Sequence, residues 1–285
     1  MNYVLHLIIL IEIFAILSLS LNLVVGLNGF LSLAHAAFYG IGAYVSALLM
    51  LAGLNFFGAL LISAIVAAAF SSLISIASLR FKGDIFILVT LAFQVVFYSI
   101  LYNWISVTKG PYGISGIPRP SIFGSSLPGL ALLYGILGGL VVFIMIIILK
   151  SHFALSVTSV REDVLAARAL GKNVFLLRAK SIAIASAVAA IAGSMYASYL
   201  TFIDPTSFTV DESILLVSIV LVGGTGNLKG PIVGAVVLIL LPEALRFLQI
   251  PDAIGPNIRL ILYGLALVVL MYLRPRGIAG IYRFE

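Results

Sequence analysis

The chain has 285 residues, 62% hydrophobic and 9% charged, with a mean hydropathy of +1.25. Soluble domains carry about 25% charged and about 45–50% apolar residues, so this chain lacks the polar surface of a cytosolic enzyme, a nucleic-acid binder or a disordered tail. The formal charge of +6 (16 basic, 10 acidic residues) fits basic loops beside a membrane rather than a nucleic-acid partner, and with no cysteine there is no disulfide, thiolate nucleophile or Cys-ligated metal.

In chain order, the charge-free stretches place the spans. No Asp, Glu, Lys or Arg occurs from Ile13 to Leu79, and further such runs cover Ile85–Thr108, Pro120–Leu149 and Ser181–Ile203. Shorter runs follow at Ser213–Leu228, Gly230–Pro242 and Leu260–Leu273. About 20 apolar residues cross the hydrocarbon layer as a helix, and no segment alternates with the period of two that a barrel needs. The expected fold is all-α: a single polytopic transmembrane bundle over 1–285, with about eight to ten spans. Nine are read, at 4–25, 33–50, 56–79, 85–105, 127–149, 174–203, 211–228, 231–249 and 257–273. Gly26, Asn28 and Gly29 interrupt the first apolar run, as two spans or as one span and a re-entrant segment. No basic region precedes that run, so a cleaved signal peptide is not expected.

Loop charge sets the orientation. The 150–180 loop and the segments that share its side carry 12 of the 16 basic residues, and the opposite side carries Lys109, Arg119, Arg246 and Arg259. This bias places the loop and the C-terminus in the cytoplasm. With nine spans the N-terminus lies outside.

The 150–180 loop carries folding signals. Ser159 and Glu162 have capping-box spacing, which starts a short helix over Val160–Leu170. Glu162 and Asp163 then complement the dipole at its start and Arg168 does so in its last turn. Gly171 suits the position after the helix, and Asn173 suits the cap of the next one. Val160, Val164 and Ala167 share one face. From spacing alone the segment is a docking helix for a cytoplasmic partner, an amphipathic helix on the headgroups, or a connector.

The segment REDVLAARALGKN resembles the coupling-loop motif of ATP-binding-cassette importer permeases, through Glu162, Ala166, Ala167 and Gly171. Four stretches are similar to the high-affinity branched-chain amino-acid permeases: NLVVGLNGFLSLAHAAFYGIGAY, ASYLTFIDPTSF, LVGGTGNLKGPIVGA and YLRPRGI. GPYGISGIPRP, with Asn103 and Trp104 before it, resembles the LivM type of that family; the likeness spans essentially the whole chain. On this resemblance the first span is expected almost at the N-terminus, without the extension of many LivM-type members. The resemblance implies a permease subunit in the cell (inner or plasma) membrane. Its implied partners are two ATPase subunits, a second homologous permease and an external substrate-binding protein. Coupling to the ATPase is then expected through Ser159, Glu162, Ala166, Ala167, Arg168 and Gly171.

Two glycine-interrupted segments, VGLNGFL at 25–31 and VGGTGNL at 222–228, share the pattern V-G-x-x-G-x-L. Paired helix breaks expose backbone groups and often mark a transporter's path, which nominates Gly26, Asn28, Gly29, Ser32, His35, Gly223, Gly224 and Gly226. The same glycines also permit close helix crossing, as the GxxxG spacings at Gly135–Gly139 and Gly230–Gly234 do. Intramembrane polar groups are few: Glu12, Asn22, Asn28, Ser32, His35, Gln94 and Asn103 are the main ones. Glu12 and His35 are candidates for the path or for an interface; His35 also reads as a neutral imidazole hydrogen-bonded in the bundle. Outside, the Lys109–Pro120 loop and the cluster Asp204, Asp211 and Glu212 suit either docking of a binding protein or interfacial snorkelling with helix capping. Thr209 and Glu212 also have capping-box spacing.

No G-x-x-x-x-G-K-[ST] loop is present, so ATP chemistry would belong to another subunit. His6, His35 and His152 are scattered, and no metal-ligand or catalytic constellation is legible; no cofactor is expected. The combined reading is a permease importing leucine, isoleucine and valine by alternating access. Its alternatives are a related permease for urea, short amides or other amino acids, a stand-alone proton-coupled transporter using Glu12 and His35, and an uncoupled channel-like or scaffold protein.

Overall fold

Lipid offers no partners for peptide groups, so an apolar chain satisfies them within helices. The computed structural model describes residues 2–81, 83–124, 126–246 and 277–280, with isolated positions between 261 and 269. Its elements are α1 (Asn2–Asn22), continued by a π-helical turn at Leu23–Leu27, then α2 (His35–Leu51), α3 (Phe56–Arg80) and α4 (Gly83–Asn103). A short α5 (Ile105–Thr108) and strand β1 (Ile114–Ser115) precede α6 (Leu127–Lys150), α7 (His152–Glu162), α8 (Val164–Ala169) and α9 (Val174–Leu200). Strand β2 (Phe202–Ile203), α10 (Val210–Gly223) and α11 (Lys229–Arg246) complete the series.

Among the described residues, five helices are long and apolar enough to cross a membrane: Tyr3–Leu27, Phe56–Ser78, Gly83–Asn103, Leu127–Lys150 and Val174–Leu200. The remaining helices at expected spans, α2, α10 and α11, are shorter. The ninth expected span, 257–273, lies outside the described residues apart from isolated helical positions. Two expected ends move inward. The helix expected to run to 203 stops at Leu200, where Thr201 turns left-handed (φ 61°). The one expected to run to 228 stops at Gly223, because Gly224 and Gly226 have φ of 98° and 91°.

Helix α1 is the central post, packed by α6, α9, α10 and α11, with Ile9, Ile13, Leu17 and Leu21 buried. Small residues let α2 and α9 cross closely. A Cβ on Gly42 would lie 2.3 Å from the Ala190 backbone, and one on Gly193 would lie 2.1 Å from the Tyr39 carbonyl oxygen. Helices α4 and α6 instead expose apolar rows, including Leu88, Val96 and Ile100 on one and Leu132, Ile136 and Phe143 on the other. Such rows suit hydrocarbon rather than water.

The bundle has two distinct ends. At one, β1 and β2 pair antiparallel, Ile114 opposite Ile203 and Ser115 opposite Phe202. This ribbon joins two of the family-like stretches and adds a small strand pair to a fold expected to be wholly helical. Gly113 makes it feasible, since a Cβ there would lie 2.5 Å from the Ile203 carbonyl oxygen. At the other end sit α7, α8 and the breaks after α1 and α10.

Helices α2 and α10 both begin inside the bundle. The Ala36 amide, one residue into α2, donates to Ser213 Oγ, three residues into α10 (3.2 Å). From that meeting point α2 runs toward the ribbon end, where Met50 and Leu54 adjoin Pro118–Ile122, and α10 runs toward the loop end. With 17 and 14 residues, they rise about 26 Å and about 21 Å, so start to start they traverse the bundle. The segment 29–34 therefore re-enters the bundle from the loop end as non-helical chain, its Leu33 amide held by Thr90 Oγ1 at 3.0 Å.

Candidate functional site

The 150–180 loop holds two short helices in place of the single one expected over Val160–Leu170. Helix α7 starts at the Ser151 cap, whose hydroxyl accepts from the Ala154 amide, and runs through Glu162. Asp163 then leaves helical geometry (φ −146°, ψ 109°) and its carboxylate caps α8, accepting from the Leu165 and Ala166 amides at 2.7 and 3.0 Å. The Ser159–Glu162 capping box does not form. Ser159 is inside α7, where its hydroxyl donates to the Ser156 carbonyl and lies 3.4 Å from Lys172 Nζ. Glu162, expected in the first turn of a helix, is instead the last residue of α7, at the negative end of its dipole; the loop beyond Asp163 follows its sequence signals. Gly171 is left-handed (φ 75°), with the Lys172 amide bonding back to the Ala167 carbonyl at 3.1 Å. Asn173 caps α9 through the Leu176 amide.

The predicted inner face also forms. Val160 and Ala167 pack with Val174 at the start of α9, with Val164 and Leu177 against them. Outward, Glu162, Ala166, Arg168 and Gly171 are exposed, and Leu165 and Leu170 are each 76% exposed. Four of the six coupling candidates thus face away from the bundle; Ala167 is buried and Ser159 half-buried.

At the same end the two V-G-x-x-G-x-L segments meet. Asn22 bridges them: its Nδ2 donates to the Asn227 carbonyl (2.8 Å) and its Oδ1 accepts from the Gly226 amide (3.2 Å). A Cβ on Gly26 would lie 2.7 Å from Asn22 Oδ1 and 3.0 Å from the Gly226 nitrogen. Beyond them, the Ile278 and Ala279 amides donate to the Val222 and Gly223 carbonyls, each at 2.9 Å, and Asn227 Nδ2 donates to the Ala279 carbonyl. Close crossing is part of the reason for these glycines, since a Cβ on Gly223 would lie 2.0 Å from the Gly230 carbonyl oxygen.

The predicted path residues fall into two groups. Gly26, Asn28, Gly29, Gly223, Gly224 and Gly226 belong to the loop end, where Asn28 Nδ2 donates to Ser181 Oγ (2.5 Å). Ser32 and His35 sit deeper. Ser32 Oγ accepts from the Ala34 amide, and His35, 2% exposed, pairs with Ser20 Oγ at 2.6 Å beside the start of α2. Around this junction α4 contributes Thr90 and Gln94, four residues apart on one face, the Gln94 amide donating to the Phe208 carbonyl (2.8 Å). Glu12 is elsewhere, against Gly135 of α6, and eight residues of α1 separate it from Ser20, about 12 Å of helix rise.

Sequence reasoning missed three participants. Asn22 was one polar group among several, although its spacing of four from Gly26 places both on one helix face. Ser213 carried no signal, because a serine in an apolar run does not say where a helix starts. Arg178 was counted as loop charge, yet it is buried, donates to the Ser78 carbonyl at the end of α3 (3.0 Å) and stacks 4.4 Å from the Phe30 ring.

At the ribbon end Arg119 donates to the Tyr199 carbonyl (3.1 Å), and a cleft of about 370 Å³ lies between the α2–α3 turn and residues 118–122. The acidity there is partly structural, since Asp204 accepts from the Thr206 and Ser207 hydroxyls. The Thr209–Glu212 capping box does not form: Thr209 makes no side-chain cap, and the turn bonded to Asp204 leads the chain into α10.

The chain matches the family described as branched-chain amino acid transport system, permease component, over residues 3–271. It is 33% identical over 298 residues to the high-affinity branched-chain amino acid transport system permease protein LivM of Escherichia coli K12, covering 95% of this chain and 68% of that protein. To a probable LivM permease of Methanocaldococcus jannaschii it is 26% identical, over 77% of this chain and 67% of the relative. To the LivH permease of Escherichia coli K12 it is 25% identical, over 79% of each chain. No solved structure matches the chain. With its apolar, multi-helix bundle, this chain therefore belongs to the branched-chain amino acid transport permeases, a family of transport subunits in the membrane.

Proposed function

We propose that the chain is the transmembrane permease subunit of an ATP-driven importer of leucine, isoleucine and valine. Two ATPase subunits dock on the α7–α8 loop in the cytoplasm, a second homologous permease completes the membrane unit, and a substrate-binding protein delivers the amino acid at the ribbon end. One observation carries the reading: the exposed Glu162–Gly171 segment and the glycine-broken ends of α1 and α10 lie at the same end of the bundle. A push on Glu162, Ala166, Arg168 and Gly171 is therefore applied beside Gly26, Asn28, Gly29, Gly223, Gly224 and Gly226. Ser159, bonded near Lys172, and buried Ala167 hold the loop's shape for that contact. Ser32 and His35 lie further along the path, where α2 and α10 begin. Broken helices of this kind present backbone groups to a zwitterion, with helix starts facing its carboxylate.

Reconstitution tests this directly. Proteoliposomes holding the chain with its co-purifying subunits are expected to accumulate leucine only with ATP and binding protein, and replacing Glu162 and Gly171 should reduce that uptake. Uptake by the chain alone, abolished by an uncoupler, would instead establish the proton-coupled alternative; urea or a short amide displacing leucine would reassign the substrate.

A further inference from the structure

A side chain of the docking loop reaches the first broken helix. Arg161, in the last turn of α7, extends to the π-helical turn after α1 and donates from Nη1 to the Gly26 carbonyl at 2.5 Å. Gly29, left-handed with φ 72°, lies flat against its stem; a Cβ there would stand 2.9 Å from Arg161 Cγ and 3.0 Å from Nε. Any other residue at 29 would have to displace the arm. The carbonyl it holds belongs to the helix end, where acceptors lack intrahelical partners and a cation complements the dipole. π-turns, with their strained hydrogen-bond ladders, are frequent at functional sites.

The tie does not stop at Gly26. One turn earlier Asn22 holds the backbone of Gly226 and Asn227, in the bend between α10 and α11. A displacement of α7 is therefore delivered to the π-turn and, through Asn22, to the second glycine-broken segment. A capping arginine supplied by the same helix would only finish that helix. Here it comes from 135 residues away in the chain, and links the element that meets the ATPase to the elements that must move.

We infer that Arg161 is the positioning residue that couples movement of the docking loop to the inner ends of α1 and α10. The inference rests on the proposed function and specifies how its coupling is conveyed. Arginine is required for reach, and its planar fork fixes direction better than an ammonium does.

The test is the amount of leucine taken up per ATP hydrolysed, measured on the whole complex in proteoliposomes. Arg161→Met is expected to lower this ratio about tenfold, within the range of coupling between distant sites, and Arg161→Lys to restore part of it. Gly29→Ala, which crowds the arm without removing its charge, is expected to lower it as well. The recovery of each complex, judged by co-purification of all subunits, separates this from misfolding: a merely structural arginine would reduce recovery and leave the ratio of the surviving complexes unchanged. A wild-type ratio in recovered Arg161→Met and Gly29→Ala complexes overturns the inference while leaving the importer reading in place. A wild-type complex with no ATP-dependent uptake overturns both.

Discussion

The α2–α9 crossing gives the fold a quantitative test. In Gly193→Ala the new Cβ would start 2.1 Å from the Tyr39 carbonyl oxygen and 2.8 Å from the Ala43 nitrogen, whereas ordinary contact begins near 3.4 Å. The obstacle is helix backbone, which has no rotamer to change, so α2 and α9 must part by more than 1 Å. Such overpacking costs about 1–3 kcal/mol, partly offset by the ~0.5–1 kcal/mol that alanine gains over glycine in a helix. Gly139→Ala is the control. Nothing lies within 4 Å of its new Cβ, so it keeps the gain alone. The two variants should differ in unfolding constant by roughly five- to 150-fold, the overpacking cost expressed as a ratio. Detergent-solubilised chain titrated with a denaturing detergent, followed by circular dichroism and by fluorescence of Trp104, the single tryptophan, measures that difference. Equal stability of the two variants would refute the close crossing.

Other predictions follow from single contacts. Asp163→Ala should remove about 1 kcal/mol from the start of α8 and speed hydrogen exchange at the Leu165 and Ala166 amides, while Ser159→Ala should leave those amides unchanged. Ser20→Ala and His35→Ala each break a buried pair and should each destabilise the chain by about 1–3 kcal/mol; a double-mutant cycle should show less than additive loss, and strict additivity would deny the bond. Gly113→Ala places a Cβ against the Ile203 carbonyl at a left-handed position, so the β1–β2 pairing should open, seen as exchange of the Ile203 amide at the rate of a free loop.

The bundle was legible in the sequence because hydropathy reports length and solvent directly, and the residues closing the 150–180 loop were legible because glycine and asparagine have local reasons to be there. Gly171 and Asn173 sit where their backbone preferences place them, and Val160, Val164 and Ala167 face inward as their spacing requires. The helix break at Asp163 was not legible. Ser159 and Glu162 satisfy the capping-box pattern, but Ser151 had already started a helix that runs past them, and a local rule cannot tell a start from an interior position. The half-length helices were hidden for a related reason. Asn28, Gly29 and Asp204 mark the breaks, and the expected starts at 33 and 211 lie close to His35 and Val210, but a break in hydropathy does not say how deep in the bundle a helix begins. A contact such as the Ala36–Ser213 bond, across 177 residues of chain, is needed to show that two helix starts meet inside. Arg161 and Arg178 carry the same charge in a composition count, but one spans the gap to a broken helix and the other staples two elements of the bundle.

The central claim is that the α7–α8 loop is the face that meets the ATPase, and a single cysteine tests it most directly. The chain has no cysteine of its own, so Leu165→Cys, at a position 76% exposed at the tip of the loop, is the unique thiol of this subunit. In membranes holding the whole complex, a short heterobifunctional maleimide–amine reagent is predicted to join it to the ATPase subunit, and a membrane-impermeant maleimide is predicted to reach it only from the cytoplasmic side. A thiol that reacts only from outside, or that joins the substrate-binding protein, would contradict the account.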